Sequence, residues 1–190
     1  MTQTLTAGFT DPIIGAQACF RAVLDAMSRP GRVHTISGLV PPPPLCVAAA
    51  AVLLTLVDHE TPLWLDPTAG DAADWIAFHC GAPTVSIGSC AFAMSLGLPD
   101  LTRLPLGTHE APETSATAIV QLPALTGGPA LRLSGPGLKD SAILAPAGLP
   151  GDFVARWRGN HGLFPAGIDL ILCAGNALAA LPRSVSIQEA

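Results

Sequence analysis

Charged residues are scarce in this sequence. They make up 12% of 190 residues, against about 25% in a typical soluble domain. Coiled coils and long helical bundles need unbroken helical repeats rich in charge, so this composition, with 19 glycines and 19 prolines, excludes them. Intrinsic disorder is excluded because it combines low hydrophobicity with high net charge, whereas the mean hydropathy here is +0.49.

Basic residues are also few. Nine lysines and arginines are scattered along a chain with a net charge of −5. A nucleic-acid-binding surface requires a basic patch or stripe, so nucleic acid is not an expected partner. A small anionic substrate is compatible with this charge, because one or two placed arginines bind it.

Long apolar runs are missing too. A membrane-spanning helix needs about 20 apolar residues, and the best candidate, residues 45–57, is 13 residues long. Residues 1–9 have neither the basic nor the apolar segment of a signal peptide. We therefore expect a soluble cytoplasmic protein with no membrane partner. Its length predicts a single domain over 1–190.

Common catalytic and metal-binding motifs are absent. The sequence has no phosphate-binding loop, dinucleotide fingerprint or hydrolase nucleophile elbow. The string from His109 to Glu113 superficially matches a zinc-protease motif, but Pro112 disfavours the helix that such a site needs. No metal is expected. The five cysteines form no C-x-x-C pair, so we expect reduced, buried thiols.

The first strong pattern that is present is an amphipathic helix. Asp11-Pro12 is typical of a helix start, and Pro30-Gly31 ends the helix. Arg21, Asp25 and Arg29 are spaced four apart and are predicted to pair on one side. The other side is expected to lie on a flat surface through Ile13, Phe20, Val23, Leu24 and Met27.

Later segments alternate between helix and strand patterns. Residues 46–57 are apolar on every side, which predicts a helix buried all round. Further helices are predicted over 71–79 and 152–158, and strands over 63–65, 84–87, 91–96, 116–122, 130–133, 168–173 and 177–181. Hairpin turns are expected at 126–128 and 175–176. This order favours an α/β fold with a mixed β-sheet sandwiched by helices.

The best polar candidate is Arg132 with Ser134, together with Thr108 and His109 in a long loop. Alternation along the strand sends Arg132 to the face opposite its apolar neighbours. An arginine at a strand end binds an anion through two parallel hydrogen bonds. Such an arginine equally pairs with a carboxylate at an interface, and the residues leave both interpretations open.

The only lysine, Lys139, follows a Gly135-Pro136-Gly137 turn. Backbone amides of this turn with Lys139 could cradle a phosphate. A second alternative is a Schiff base between Lys139 and pyridoxal phosphate (PLP), which needs a buried amine. The turn residues and the adjacent Asp140 instead favour a solvated surface charge.

Several strings, taken together and in order, resemble one known family, the PhnH family. This is the H subunit of the carbon–phosphorus lyase system of phosphonate breakdown. No single string is a mechanistic motif, but their joint order and spacing are specific. They are FRAVLDAMSRPG at 20–31, residues 53–58 followed by 61–65, Phe78-His79 with Ala82-Pro83, residues 106–108 with 111–113, LRLSGPG at 131–137, Phe164-Pro165 and GIDLIL at 167–172.

The resemblance implies a fold like the large domain of PLP-dependent transferases, without the cofactor or its lysine. It also implies a homodimer in isolation, which joins the G, I and J subunits in the cell. That transferase complex displaces the base of a purine nucleoside triphosphate with an alkylphosphonate, giving alpha-D-ribose 1-methylphosphonate 5-triphosphate for the methyl compound. The resemblance transfers no catalytic residue to this chain and implies no cofactor.

Two functional hypotheses follow. The first is a non-catalytic interaction subunit of this complex. The alternative is a phosphonate- or nucleotide-binding protein or enzyme with its anion site around Arg132. The surplus of apolar residues, which the helix over 46–57 only partly accommodates, predicts an exposed apolar face that other chains cover.

Overall fold

Two β-sheets organise residues 6–190, which are the residues that the computed structural model describes. The prediction that residues 1–9 contain no signal peptide falls partly outside this range, because residues 1–5 are not among the described residues. In chain order the helices and strands are α1 (Pro12–Ser28), β1 (His34–Thr35), α2 (Val47–Leu56), β2 (Leu63–Leu65), α3 (Ala72–Cys80), β3 (Phe92–Ser95), β4 (Thr117–Gln121), β5 (Ala124–Ser134), β6 (Ala142–Ala147), α4 (Phe153–His161), β7 (Asp169–Ala174), β8 (Ala177–Leu181) and β9 (Ser186–Glu189).

The larger sheet is mixed. Its six strands lie in the order β1-β8-β7-β4-β3-β2. Strands β2, β3, β4 and β7 run parallel, whereas β8 is antiparallel to β7 and β1 is antiparallel to β8. The smaller sheet is antiparallel, with β5 between β6 and β9. The α/β fold with a mixed sheet flanked by helices is thus confirmed.

Helices α1, α2 and α3 form one layer on the larger sheet. Helix α2 lies in the middle, and Ala48–Leu53 are completely buried in it. The sheet contributes Ile119 and Ile171 to this core. The prediction of a helix buried all round is confirmed, because neighbours on several sides take up its uniformly apolar surface.

The opposite face of the larger sheet is covered by α4 together with the smaller sheet. Val120 of β4, Leu172 of β7 and Leu133 of β5 join this second core. Alternate residues of one strand therefore serve the two cores, as the two-residue period of a strand requires. Trp157 of α4 is completely buried, and its indole N–H donates a hydrogen bond to the Val185 carbonyl oxygen at 2.7 Å.

The hairpin predicted at 126–128 is wrong. Strands β4 and β5 belong to different sheets, and both glycines of the expected turn lie inside β5, which pairs with β6 and β9. A Cβ placed on Gly128 would lie 2.1 Å from the Pro146 carbonyl oxygen of β6. The glycine therefore permits a close approach of two strands rather than a turn.

Of the remaining predicted elements, one strand is wrong, whereas two helices and a hairpin are confirmed. The strand over 84–87 is wrong, because Thr84 makes only an isolated bridge to Leu63 and a short 3-10 turn spans Ile87–Ser89. The helices over 71–79 and 152–158 and the hairpin at 175–176 are confirmed. Strands β1, β6 and β9 were not predicted from the sequence. Strand β1 has only two residues, and β6 contains a proline, a residue that disfavours a strand.

Helix α1 begins where predicted but does not pack as predicted. Asp11 Oδ1 accepts hydrogen bonds from the N–H groups of Ile13 and Ile14 at 3.1 and 3.0 Å. Of the five apolar residues expected to face a flat surface, Val23 is buried, whereas Ile13, Phe20 and Leu24 are 78%, 46% and 52% exposed. The helix packs instead through smaller neighbours at Cys19 and Ala26, which permit a closer approach.

The three outward residues Ile13, Phe20 and Leu24 form what we call the α1 stripe. Their spacings of seven and four residues place them one above another on the helix surface. Exposed apolar side chains grouped in this way are typical of interaction surfaces. It matches the exposed apolar face that the composition predicts.

The five cysteines form no disulfide. Four are buried and Cys46 is half-buried. Burial, with a further contribution from the charge of Asp58, raises the pKa of the Cys80 thiol to about 11. Burial also raises the pKa of Cys173 well above its usual value. A protonated, enclosed thiol is a poor nucleophile, which agrees with the prediction of reduced, buried thiols.

The described residues, 6–190, offer neither a membrane-spanning helix nor a cluster of metal ligands. Within that range no helix combines the length and the apolar character needed to cross a bilayer. Over the same range, no group of three or more His, Cys, Asp or Glu side chains is placed to hold a metal ion.

Candidate functional site

Arg132 and Ser134 lie on the same side of β5, the middle strand of the smaller sheet. Arg132 is exposed between its cross-strand neighbours Ile143 of β6 and Gln188 of β9. Its neighbours in sequence, at 131 and 133, are buried, so the predicted alternation is confirmed. Among the described residues no carboxylate pairs with Arg132, which leaves its guanidinium available to a ligand or another chain.

Thr108 and His109 lie in an exposed loop between the 3-10 turns Leu101–Arg103 and Pro112–Thr114. The Thr108 hydroxyl oxygen accepts a hydrogen bond from the Ala111 N–H at 2.9 Å, which stabilises the turn. Within residues 6–190 no hydrogen bond connects this loop pair to Arg132 or Ser134. The four residues therefore lie as two pairs, Arg132 with Ser134 on β5 and Thr108 with His109 in the loop. Their role as an anion site stays a prediction.

Lys139 is exposed in the turn that follows β5. This position agrees with a solvated surface charge. A Schiff-base lysine needs a desolvated amine, and an exposed turn does not provide that environment. The turn is nevertheless close to other cations, as described below.

The most extensive polar network is one that the sequence reasoning missed. Asp169, the first residue of β7, accepts three side-chain hydrogen bonds from Arg183: Nη2 to Oδ2 at 2.6 Å, and Nε to Oδ1 and to Oδ2, both at 3.2 Å. The side chains are 21% and 15% exposed, respectively. Arg183 Nη1 also donates to the carbonyl oxygens of Pro112 and Pro165 at 2.9 and 3.3 Å. One guanidinium thus fixes two loops to the β7–β8 hairpin.

Asn160 extends this network to the end of α4. Its amide donates to the Ile168 carbonyl oxygen at 2.9 Å and accepts from the Ile168 N–H at 2.7 Å. His161 Nδ1 lies 2.9 Å from the Arg183 carbonyl oxygen. Gly167 has a φ of +110°, and a Cβ there would lie 2.9 Å from the Asn160 carbonyl oxygen. The signals for this network in the sequence were family strings: GIDLIL contains Gly167 and Asp169, and two other strings contain Pro112 and Pro165.

A cavity of about 330 Å³ lies beside the network, between α4 and the loop around residues 100–106. Its polar side chains are already engaged. Asp100 Oδ1 accepts hydrogen bonds from the Thr102 N–H and hydroxyl at 3.1 and 2.7 Å, which lower the pKa of this carboxyl. Arg156 Nε donates to Asp152 at 2.9 Å. The lining residues are Asp100, Leu101, Thr102, Leu106, Ala155, Arg156, Gly159, Asn160 and Leu163.

These observations define a class of protein. It is an α/β domain in which the Asp169–Arg183 ion pair and its hydrogen bonds hold loops in place. Its surface exposes the α1 stripe and Arg132, which has no carboxylate partner among the described residues. Residues 7–188 match the family model described as "Bacterial phosphonate metabolism protein (PhnH)". The chain belongs to this family, as its sequence strings indicated.

Two curated relatives extend the comparison. The chain is 40% identical over 194 residues to the "Alpha-D-ribose 1-methylphosphonate 5-triphosphate synthase subunit PhnH" of Rhizobium meliloti (strain 1021), covering 98% of this chain and 97% of that protein. It is 35% identical over 173 residues to the "Putative C-P lyase subunit protein HtxG" of Stutzerimonas stutzeri, covering 90% and 85% of the two chains.

Proposed function

We propose that this chain is a subunit of the carbon–phosphorus lyase complex of phosphonate catabolism. In that role it is needed to form alpha-D-ribose 1-methylphosphonate 5-triphosphate from a purine nucleoside triphosphate and an alkylphosphonate. One observation carries the proposal: the 40% identity, over nearly the full length of both chains, to a subunit of the synthase.

The subunit acts through interaction rather than catalysis. The α1 stripe supports this, because it exposes large apolar side chains that water solvates poorly. In isolation a second copy of the chain covers the stripe, and in the cytoplasm subunits of the G, I and J type cover part of the apolar surface. The fold is that of the large domain of PLP-dependent transferases, without the cofactor.

Co-expression with the neighbouring gene products tests this function. We expect the chain to co-purify with the G-, I- and J-type subunits in a fixed stoichiometry. The purified chain alone is expected to release no adenine from ATP when methylphosphonate is present. Adenine release by the isolated chain would contradict the non-catalytic role, and a failure to co-purify would contradict membership of the complex.

Arg132 supports a second candidate function, binding of a phosphonate or a nucleotide phosphate with Ser134, Thr108 and His109. The observation behind it is the exposed guanidinium without a carboxylate partner in the described part of the chain. If this function is correct, Arg132→Ala weakens methylphosphonate binding about tenfold and leaves the complex assembled. If Arg132 instead contacts a partner subunit, the same substitution weakens assembly, measured by co-purification, and leaves ligand binding unchanged.

A further inference from the structure

Two of the family strings that are far apart in sequence meet at one place on the surface. The first ends in the turn after α1, at Gly31, and the second ends in the turn after β5, at Gly137. A Cβ on Gly137 would lie 2.0 Å from the Ser28 carbonyl oxygen, and a Cβ on Gly31 would lie 2.9 Å from the Ala142 Cβ. Both glycines have positive φ, +84° and +88°. The turn at Gly137 therefore packs directly against the backbone at the end of α1, and the turn at Gly31 packs against the side chain at the start of β6.

A depression of about 360 Å³ lies where these turns meet. Three of the nine basic residues of the chain line it, including the only lysine: Arg29, Arg32 and Lys139. No acidic side chain lines it, and Asp140 lies outside the lining although it follows Lys139 in sequence. Pro30, Gly31, Gly137, Leu138 and Ala142 complete the wall.

The positive charge in this depression is only partly compensated. Asp25 forms an ion pair with Arg29, and its other oxygen lies 3.6 Å from Arg32 Nη1 and 3.1 Å from His34 Nε2. One carboxylate thus serves two guanidinium groups. Lys139 forms no ion pair with any residue of 6–190. Set against Asp25 and Asp140, the carboxylate next to Lys139 in sequence, the three cations leave a local excess of one positive charge in a chain of net charge −5.

We infer that this depression is a binding site for a phosphate-type dianion: a free phosphonate, inorganic phosphate or the terminal phosphate of a polyphosphate chain. Guanidinium groups match the oxygen spacing of such anions, and a lysine ammonium adds a point charge. Positive charge concentrated in a concave surface also attracts anions from solution. The inference goes beyond the proposed function, because a purely structural subunit needs no ligand there.

Calorimetric titration of the full-length chain at about 0.15 M salt, where distant surface charges are screened, tests the site. We expect saturable heat with at least one of three probes: methylphosphonate, inorganic phosphate and tripolyphosphate. Equal binding of the first two indicates a site for a single dianion. Stronger binding of tripolyphosphate indicates that the site receives a triphosphate chain.

Substitutions locate the binding. The double variant Arg32→Ala with Lys139→Ala is expected to weaken binding at least tenfold, since two charge-assisted contacts are lost. Its charge-conserving counterpart, Arg32→Lys with Lys139→Arg, is expected to retain binding within about threefold, because the depression keeps its charge and its number of guanidinium groups. Arg158→Ala, which removes an exposed arginine of α4 outside the depression, is the matched control and should leave binding unchanged. The side chain of Arg32 is 61% exposed and Lys139 is exposed, so none of these changes should affect folding.

The opposite results overturn the inference. These are the absence of heat with all three probes, undiminished binding in the double alanine variant, or loss of binding on Arg132→Ala alone. The last result would place the anion at the β5 candidate instead. Each of these outcomes is independent of co-purification, so failure of the anion site and failure of the subunit role can be distinguished.

Discussion

Replacing Phe20 and Leu24 together by aspartate is expected to abolish self-association and to prevent co-purification with the other subunits. The two side chains are 46% and 52% exposed on α1, next to Ile13 on the same stripe. If another chain covers them, the substitution places two charges in an apolar interface, where each carboxylate would be buried without a partner. We expect affinity to fall at least a hundredfold, or about 3 kcal/mol.

Analytical ultracentrifugation of the variant and pull-down of the partner subunits measure this effect. The variant should retain its circular dichroism spectrum, because these side chains contribute little to the core of the single chain. Val40→Asp is the control, since Val40 is 75% exposed in the loop before α2 and does not belong to the stripe. A folded double variant that still self-associates and co-purifies would show that the α1 stripe is not the interface.

The largest expected effect on stability comes from Arg183→Ala. This change leaves Asp169 without its charged partner at a side-chain exposure of 21%, with only the hydrogen bond from the backbone N–H of residue 183 retained. It also removes hydrogen bonds to the carbonyl oxygens of Pro112 and Pro165. Breaking a largely buried ion pair from one side costs about 3–5 kcal/mol. For a protein of this size we expect the melting temperature to fall by about 10 °C. Differential scanning calorimetry measures the change.

The control for this prediction is an ion pair of the same type at the surface. Arg156→Ala breaks the pair with Asp152, whose side chains are 45% and 56% exposed, and should cost less than about 1 kcal/mol. The double variant Arg183→Ala with Asp169→Ala should recover part of the loss, because no unpaired charge then stays behind. If Arg183→Ala destabilises the chain no more than Arg156→Ala does, the Asp169–Arg183 pair does not hold the loops as we describe.

Local patterns predicted those elements whose structure depends on nearby residues. The Asp11-Pro12 start of α1 is an example, because the capping carboxylate bonds to N–H groups two and three residues away. The β7–β8 hairpin is another, since its two strands follow each other directly and register is set by a short turn. Helix α2 was predictable because an all-apolar segment has to be buried on every side.

The errors occurred where residues distant in sequence determine the structure. Gly127 and Gly128 have the composition of a turn, but the approach of β6 makes them part of a long strand. The division of the first helix into a core face and the α1 stripe was missed for the same reason. Periodicity places Val23, Phe20 and Leu24 near each other, and only the position of the sheet decides which of them is buried.

The sequence by itself determined the family and the α/β class, because ordered strings and local apolar patterns can be recognised without the tertiary structure. It also predicted that part of the apolar surface is exposed, since the charge content is too low to cover the chain. The tertiary structure alone decided which surface this is, and it alone paired Asp169 with Arg183. It also brought Arg29, Arg32 and Lys139 to one depression. The physical reason is the same in all three cases. Each feature depends on contacts between segments that are far apart in the sequence, and local sequence patterns carry no information about such contacts.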